Sequence, residues 1–386
     1  MKGFRRGLLL IFLVAAATFF FAVPHIVDSR RNTTRSGGTV SVSQRTQDLH
    51  RSLLIADLHA DSLLWGRDLV VRNSHGHVDI PRLIDGNVAL QVFSVPTKTP
   101  RGLNIRRNAD NSDQIFWLAL AQRWPPATWN SLTERALYQA QRLQNMAAAS
   151  NGKFVLLLTS ADLSAYLQRR QNEKAVTAGI LAIEGAHALD GKLENLDRLY
   201  DAGYRMVSPA HFFDNDIGGS SAGSSKIGLT EKGHEMIRRM ERKHMIVDLA
   251  HSSSQTIDDV LAMAIRPVVV SHTGVKATCD NNRNLSDSQI ERIAKAGGLI
   301  GIGYWSIATC GHDAKAIVRA MHHVASLVGV EHVALGSDFD GSVQTPFDTT
   351  GLVQITDALL KDGYSDAEIR LMMGGNVLRF MQQNLP

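Results

Sequence analysis

Six apolar runs in this sequence end in side chains that bind metals or move protons. The run at 53–58 leads into Asp57-Leu58-His59-Ala60-Asp61, that at 179–183 into Glu184, and that at 204–209 into His211. The runs at 245–250, 267–271 and 332–337 lead into His251, His272 and Asp338. His59 and Asp61 are two apart, so on an extended chain an imidazole and a carboxylate address one cation. Glu184 carries two oxygens, enough to bridge two metals, while His251 and His272 supply two more nitrogens. Imidazole and carboxylate without thiolate suit zinc, with manganese or cobalt as alternatives. Two divalent ions against Asp61, Glu184 and one bridging hydroxide leave a net charge of about +1. Such a site can hold the anion formed when hydroxide attacks an amide carbonyl.

Each of these residues alone is weak evidence. The chain has 15 histidines, so some fall near strand ends by chance, and an isolated one is more often a hydrogen-bonded structural residue. The joint pattern differs. His25, His50, His234, His244, His322 and His323 fall in helical or linker stretches, as a solvated face predicts. His187 and His332 lie near strands but off the pattern and read as structural.

The elements that must position the six are short. Besides the runs above, 88–95 (VALQVFSV), 154–158 (FVLLL) and 298–303 (GLIGIG) are apolar, and amphipathic stretches such as 231–244 and 286–296 intervene. Strand and helix alternating at this spacing predict a parallel sheet, and strands apolar on both faces suit one covered by helices. Nine runs are one more than an eight-stranded barrel needs. The run at 154–158 is followed by a plain helix with no polar signature, so it reads as an extra strand beside the barrel. Residues 97–150 hold no matching strand and read as a helical insertion, with its clearest helix around 132–149. The expected fold is α/β, a (β/α)8 barrel over 48–386, whose strand ends converge on one mouth.

The N-terminus stands apart. Leu8–Val23 is apolar, stopped by Pro24, and its 16 residues are short for a span and long for a signal core. No small-residue cleavage site follows it. An uncleaved anchor over 1–27 is therefore favoured over a cleaved signal peptide, and either exports the body. Residues 28–47 are polar and small, which predicts a linker. The pI near 9.1 belongs to these flanks: beyond residue 37 the chain holds 35 basic against 36 acidic residues. Nucleic-acid binding thereby loses its only support. Cys279 and Cys310 are too few for a cysteine zinc site, and either a single bridge or two buried thiols fits them.

The chain resembles the membrane dipeptidase family, also called renal dipeptidase or peptidase family M19. Matching stretches are DLHADSLLWGRDL (57–69), GILAIEGAHALDG (179–191), GYRMVSPAHFFDNDIGGSS (203–221), MIVDLAHSS (245–253), PVVVSHTG (267–274), NNRNLSD (281–287) and GSDFDG (336–341). The resemblance implies a barrel of the metal-dependent hydrolase kind and a two-zinc dipeptidase that attacks with a metal-bridging hydroxide. His59 and Asp61 would hold one Zn2+, His251 and His272 the other, with Glu184 bridging. His211 would hydrogen-bond the scissile carbonyl oxygen, Asp338 would carry the proton, and Arg283 would pair with the free carboxylate of the dipeptide. A C-terminal D-residue would be tolerated, and a homodimer is implied. The chain departs from the family at Gly303-Tyr304-Trp305, where members often carry Asn-Phe-Tyr, so Tyr304 and Trp305 are candidate substrate contacts.

Two other readings compete. The same metal pair could hydrolyse β-lactams or N-acyl amino acid amides, which substrate comparison separates. A catalytically dead, tethered binding barrel would be marked by a lost ligand, and none is lost.

Overall fold

The computed structural model describes residues 2–35 and 41–386. Its strands are β1 (Thr33–Thr34), β2 (Ile55–Ala60), β3 (Val88–Pro96), β4 (Phe154–Leu156), β5 (Thr177–Glu184) and β6 (Tyr204–Val207). They continue as β7 (Ile246–Val247), β8 (Val269–Thr273), β9 (Leu299–Ile302), β10 (Val333–Leu335) and β11 (Gln344–Thr345). Eight of them form one parallel sheet in the order β7-β6-β5-β3-β2-β10-β9-β8, and β4 pairs with β5 off this path. The surplus run is thus the extra strand that the sequence predicts. The sheet curls until β7 meets β8, where an Asp248–Val269 bridge and a 2.8 Å hydrogen bond from Leu249 N–H to the Val269 carbonyl join its ends. The result is the expected (β/α)8 barrel.

Alternate strand residues divide between two buried clusters. Val88, Phe93 and Val95 pack with the flanking helices, through residues such as Ile237, Ile290 and Ile317. Leu90 and Val92 pack instead with Ile180, Met206 and the C-terminal helix Asn376–Asn384, through Val377 and Met381. Two apolar faces per strand follow from a parallel sheet that water reaches on neither side. The insertion holds helices Gln114–Ala121, Ala127–Asn130 and Leu132–Ala149; the last is capped by the Ser131 side chain, which accepts from Glu134 N–H.

The N-terminal expectations need two corrections. Pro24 does not stop the first helix, which runs on to Arg31. A π-helical turn at Thr18–Ala22 precedes the proline, and the Val23 N–H reaches back to the Thr18 carbonyl. That widened turn takes in a residue with no N–H of its own. The helix over Phe4–Arg31 is long and apolar enough to cross a membrane. Nor is 28–47 a free linker where it is described. Asp28 is buried, β1 pairs in parallel with β11, and Gln44–Ser52 is a helix capped by Ser43. Buried charge pairing decides this, which a count of small polar residues does not detect; residues 36–40 of the linker lie outside the described residues.

One packed histidine carries a pH prediction. Burial pushes His50 down to about 4 from an ordinary 6.5, and its Nδ1 lies 2.9 Å from Thr356 Oγ1. Below pH ~6.5 the unfolded chain binds a proton that the folded chain refuses, so stability falls until about pH 4 and then levels. The loss amounts to at most about 3 kcal/mol. Denaturation of the wild type and His50→Gln from pH 7 to 4 checks it: the variant is expected to lose less, so the two curves converge.

Candidate active site

The six chemistry-bearing runs do end at one mouth, and the local backbone explains how the ligands turn inward. Between Asp57 and Ala60, β2 spends one more residue than its partner β3, and β8 does the same against β9 between Val270 and Thr273. Each bulge surrounds a histidine, His59 or His272, and re-aims its side chain. His251 and Asp338 lie beyond their strands in the left-handed region, at φ 63° and 59°. For residues with a β-carbon this conformation is strained, and it sits here at the centre of the site.

Glu184 organises the cluster. Its Oε1 lies 3.0 Å from His251 Nε2, 3.4 Å from His272 Nε2 and 3.6 Å from His59 Nε2. Its Oε2 faces His211 Nε2 at 3.3 Å. Asp61 Oδ1 is 3.4 Å and Asp338 Oδ1 3.9 Å from His59 Nε2. Three overlapping groups have ligand atoms within 4.8 Å of one another: His59–Glu184–His272, Glu184–His211–His251 and His59–Asp61–Asp338. His59 Nε2 and Asp61 Oδ1 are buried with no hydrogen-bond partner. Orphaned donor atoms aimed at one point, all imidazole or carboxylate, fit a divalent metal of the zinc kind.

The surrounding hydrogen bonds leave the Nε2 atoms free to ligate. Ser271 Oγ donates to Asp248 Oδ2 at 2.6 Å, so it accepts from His272 Nδ1 at 2.9 Å and His59 Nδ1 at 3.3 Å. Both imidazoles then carry their proton on Nδ1 and present a lone pair on Nε2. Asp57 braces the other wall, accepting from His59 N–H and from the Ser337 N–H and hydroxyl. Burial pushes Glu184 and Asp61 well above the ordinary carboxylate range and His211, His251 and His272 well below the usual histidine value. Asp338 rises to about 8, chiefly through burial, opposed by His59 and reinforced by Asp61.

The remaining candidates separate. Arg283 is buried, with one guanidinium nitrogen 2.6 Å from the His272 carbonyl and its Nε unpartnered. Its guanidinium lies 5.8 Å from the Trp305 ring, which also meets the His272 ring at 5.7 Å. A disulfide between Cys279 and Cys310 ties the loop holding Arg283 to the segment after Trp305, which answers the question the two cysteines left open. Tyr304 points the other way, into the core against Phe339 and Phe347, and none of Tyr304, Trp305 and Arg283 lines the mouth cavity. Neighbours on extended chain face opposite sides, so Tyr304 and Trp305 could not both line one pocket. That cavity, ≈ 160 Å³, is lined by Asp61, Glu184, His211, His251 and Asp338 among others.

Several supporting residues escape sequence reasoning. Asp57 and Asp248 show only as carboxylates inside apolar strands, and Ser271 and Ser337 show nothing. His187, read as structural, lies beside the site with its ring parallel to that of His211 at 6.5 Å; burial pushes it down to about 3. Asp340 accepts from Ser62 and pairs with Arg67 at 2.9 Å. Burial opposes its ionisation, but Arg67 and His77 hold its carboxyl well below the ordinary range.

The profile of the membrane dipeptidase family, peptidase family M19, matches residues 43–385. The chain belongs to that family. It is 28% identical over 317 residues to the dipeptidase tcpJ of Claviceps purpurea, which covers 80% of this chain and 69% of that protein. Its fold superposes with a TM-score of 0.74 on the probable dipeptidase PvdM of Pseudomonas aeruginosa, at 19% identity and covering 89% and 98% of the two chains. A metallopeptidase of Rhodobacter sphaeroides, solved with a phosphinate mimic of the dipeptide L-Ala-D-Ala, gives 0.70 at 23% identity over 86% and 99%. The molecule is thus an M19 dipeptidase with a metal-dependent site at its barrel mouth.

Proposed function

We propose that this M19 dipeptidase is a two-zinc enzyme that hydrolyses dipeptides, including those with a C-terminal D-residue, while held at a membrane by its N-terminal helix. The observation that carries the reading is Glu184, whose Oε1 touches three imidazoles while its Oε2 faces a fourth. His59 and Asp61 would hold one zinc and His251 and His272 the other, with Glu184 shared between them. When bound, the pair polarises the peptide carbonyl and makes water acidic enough to attack near neutral pH. His211 donates from Nε2 to the carbonyl oxygen as charge builds there. Asp338 takes the proton of the attacking water and gives it to the leaving nitrogen. Arg283 pairs with the free carboxylate, where a planar fork fits best. The dipeptide mimic bound by the Rhodobacter relative supports the D-residue. The exposed apolar helix supports export with the anchor retained, the body facing the periplasm or extracellular side.

The test is amino-acid release by the intact, zinc-loaded chain from L,L and L,D dipeptides, with and without a chelator, beside tripeptides. Chelator-sensitive cleavage of both dipeptides, with tripeptides far slower, is expected. Equal rates on tripeptides would sink the free-carboxylate reading. No cleavage at about two zinc ions per chain would move the search to β-lactams and N-acyl amino acids.

Gly341 supplies a finer prediction. A β-carbon there would lie 2.1 Å from Asp338 Oδ1. Gly341→Ala is expected to push that carboxylate aside and lower kcat about a hundredfold, the usual cost of misplacing a catalytic group by roughly 1 Å. Metal content and thermal unfolding, measured alongside, should stay those of the wild type.

A further inference from the structure

We propose that the helix just beyond the apolar segment is a wall of the substrate pocket, where Val27 and Arg31 select the dipeptide's side chains. The inference rests on the dipeptidase reading of that pocket. Val27 and Arg31 line the same cavity as Asp338 and His211. Val27 packs on a small apolar cluster of Leu64, Trp65 and Ile115, with Leu118 beside it, and these four line the cavity too. The pocket therefore draws on three distant parts of the chain: the loop after β2, the helical insertion and the N-terminal helix.

The helix is clamped, not merely adjacent. Asp28 Oδ2 lies 2.9 Å from Arg67 Nε and 3.0 Å from His75 Nε2, and Asp28 is 2% exposed. Arg67 spans from Asp28 to Asp340, two residues beyond the catalytic Asp338. Asn32 donates to Asp28 at 2.7 Å and accepts from Ser342 N–H at 2.9 Å, and β1 then adds to β11. Removing one partner of such a buried ion pair leaves an uncompensated charge, so the clamp holds as a unit. On the outer side the Arg123 guanidinium covers the Phe21 ring at 4.6 Å.

The chemistry follows from the two side chains. Val27 extends an apolar surface, which suits an apolar side chain on the dipeptide. Arg31 is an exposed cation at the rim, where it meets an acidic side chain in water-rich surroundings. The apolar segment ends at Val23, so the mouth lies roughly 6 Å further along the helix, close to the membrane surface. A protein cut directly after Val23 would lose its anchor but keep Val27 and Arg31.

The experiment uses the full chain in detergent micelles, zinc-loaded, with Leu-Ala and Ala-Asp as probes. Arg31→Glu is expected to raise KM for Ala-Asp about tenfold, equivalent to ~1.4 kcal/mol, with the effect in KM more than in kcat. Arg30→Glu, the same charge change outside the cavity, is expected to leave both constants alone. Val27→Asp should raise KM for Leu-Ala and spare Ala-Asp. Amide hydrogen exchange gives a readout independent of turnover: the 25–32 amides should exchange slowly, and Asp28→Asn should release them. Wild-type amides exchanging as in an unfolded chain overturn the wall. Protected amides with KM unchanged in both pocket variants overturn the selection. If the intact chain cleaves no dipeptide, the dipeptidase reading falls while exchange still decides the wall.

Discussion

Glu184→Gln is expected to remove metal and activity together, cutting kcat/KM by about a thousandfold or more. The substitution keeps shape and volume but takes away the one charge that faces His59, His251 and His272 at once. A neutral amide has one carbonyl oxygen to offer where the carboxylate has two, so two cations no longer share it. Losing several kcal/mol of charge stabilisation in the transition state corresponds to that factor. The fold should survive. Burial holds the Glu184 carboxyl well above its ordinary range, so the metal-free protein gains little from its charge. Elemental analysis beside turnover and thermal unfolding checks all three. Full metal content with activity within tenfold of wild type would remove Glu184 from the centre of the site.

Asp338→Asn is expected to keep metal and fold and lose turnover, by about 10²–10⁴-fold in kcat, the range for losing a positioned proton carrier. Asparagine suits the test because Asp338 sits at φ 59°, a left-handed conformation that Asn tolerates and most residues do not. The amide can still be seated beside His59 but cannot take a proton from water. KM should change little, since substrate is held by other groups. The measurement is kcat and KM at constant zinc content; a kcat within threefold of wild type would transfer the proton to another group. His187, beside His211, would then be the next residue to replace.

The order of elements was legible because barrel strands are apolar on both faces and end in loops that carry the polar residues. His59, Glu184, His211, His251, His272 and Asp338 could be picked out by where they fall along that pattern, with no knowledge of which would touch. Even the surplus strand, β4, showed by what it lacked. The N-terminal stretch shows the limit. Pro24 signals a stop and 28–47 reads as a linker, because helix propensity and composition are local properties. The π turn that absorbs the proline, and the Arg67 and His75 side chains that bury Asp28, depend on contacts between distant parts of the chain.

What the sequence by itself determined about this protein is the strand-and-helix alternation, the side chains at its strand ends and the apolar helix at its start. All three are written in periodicity and residue type, which act over a few neighbours. Only the tertiary structure decided that β2 and β8 bulge at their histidines, and that Ser271 and Asp248 orient the imidazoles. It alone turned Tyr304 inward, joined Cys279 to Cys310 and laid the N-terminal helix along the pocket. Each of these is a contact between segments far apart in sequence. Its energy comes from burial and charge pairing that exist only once the barrel has closed.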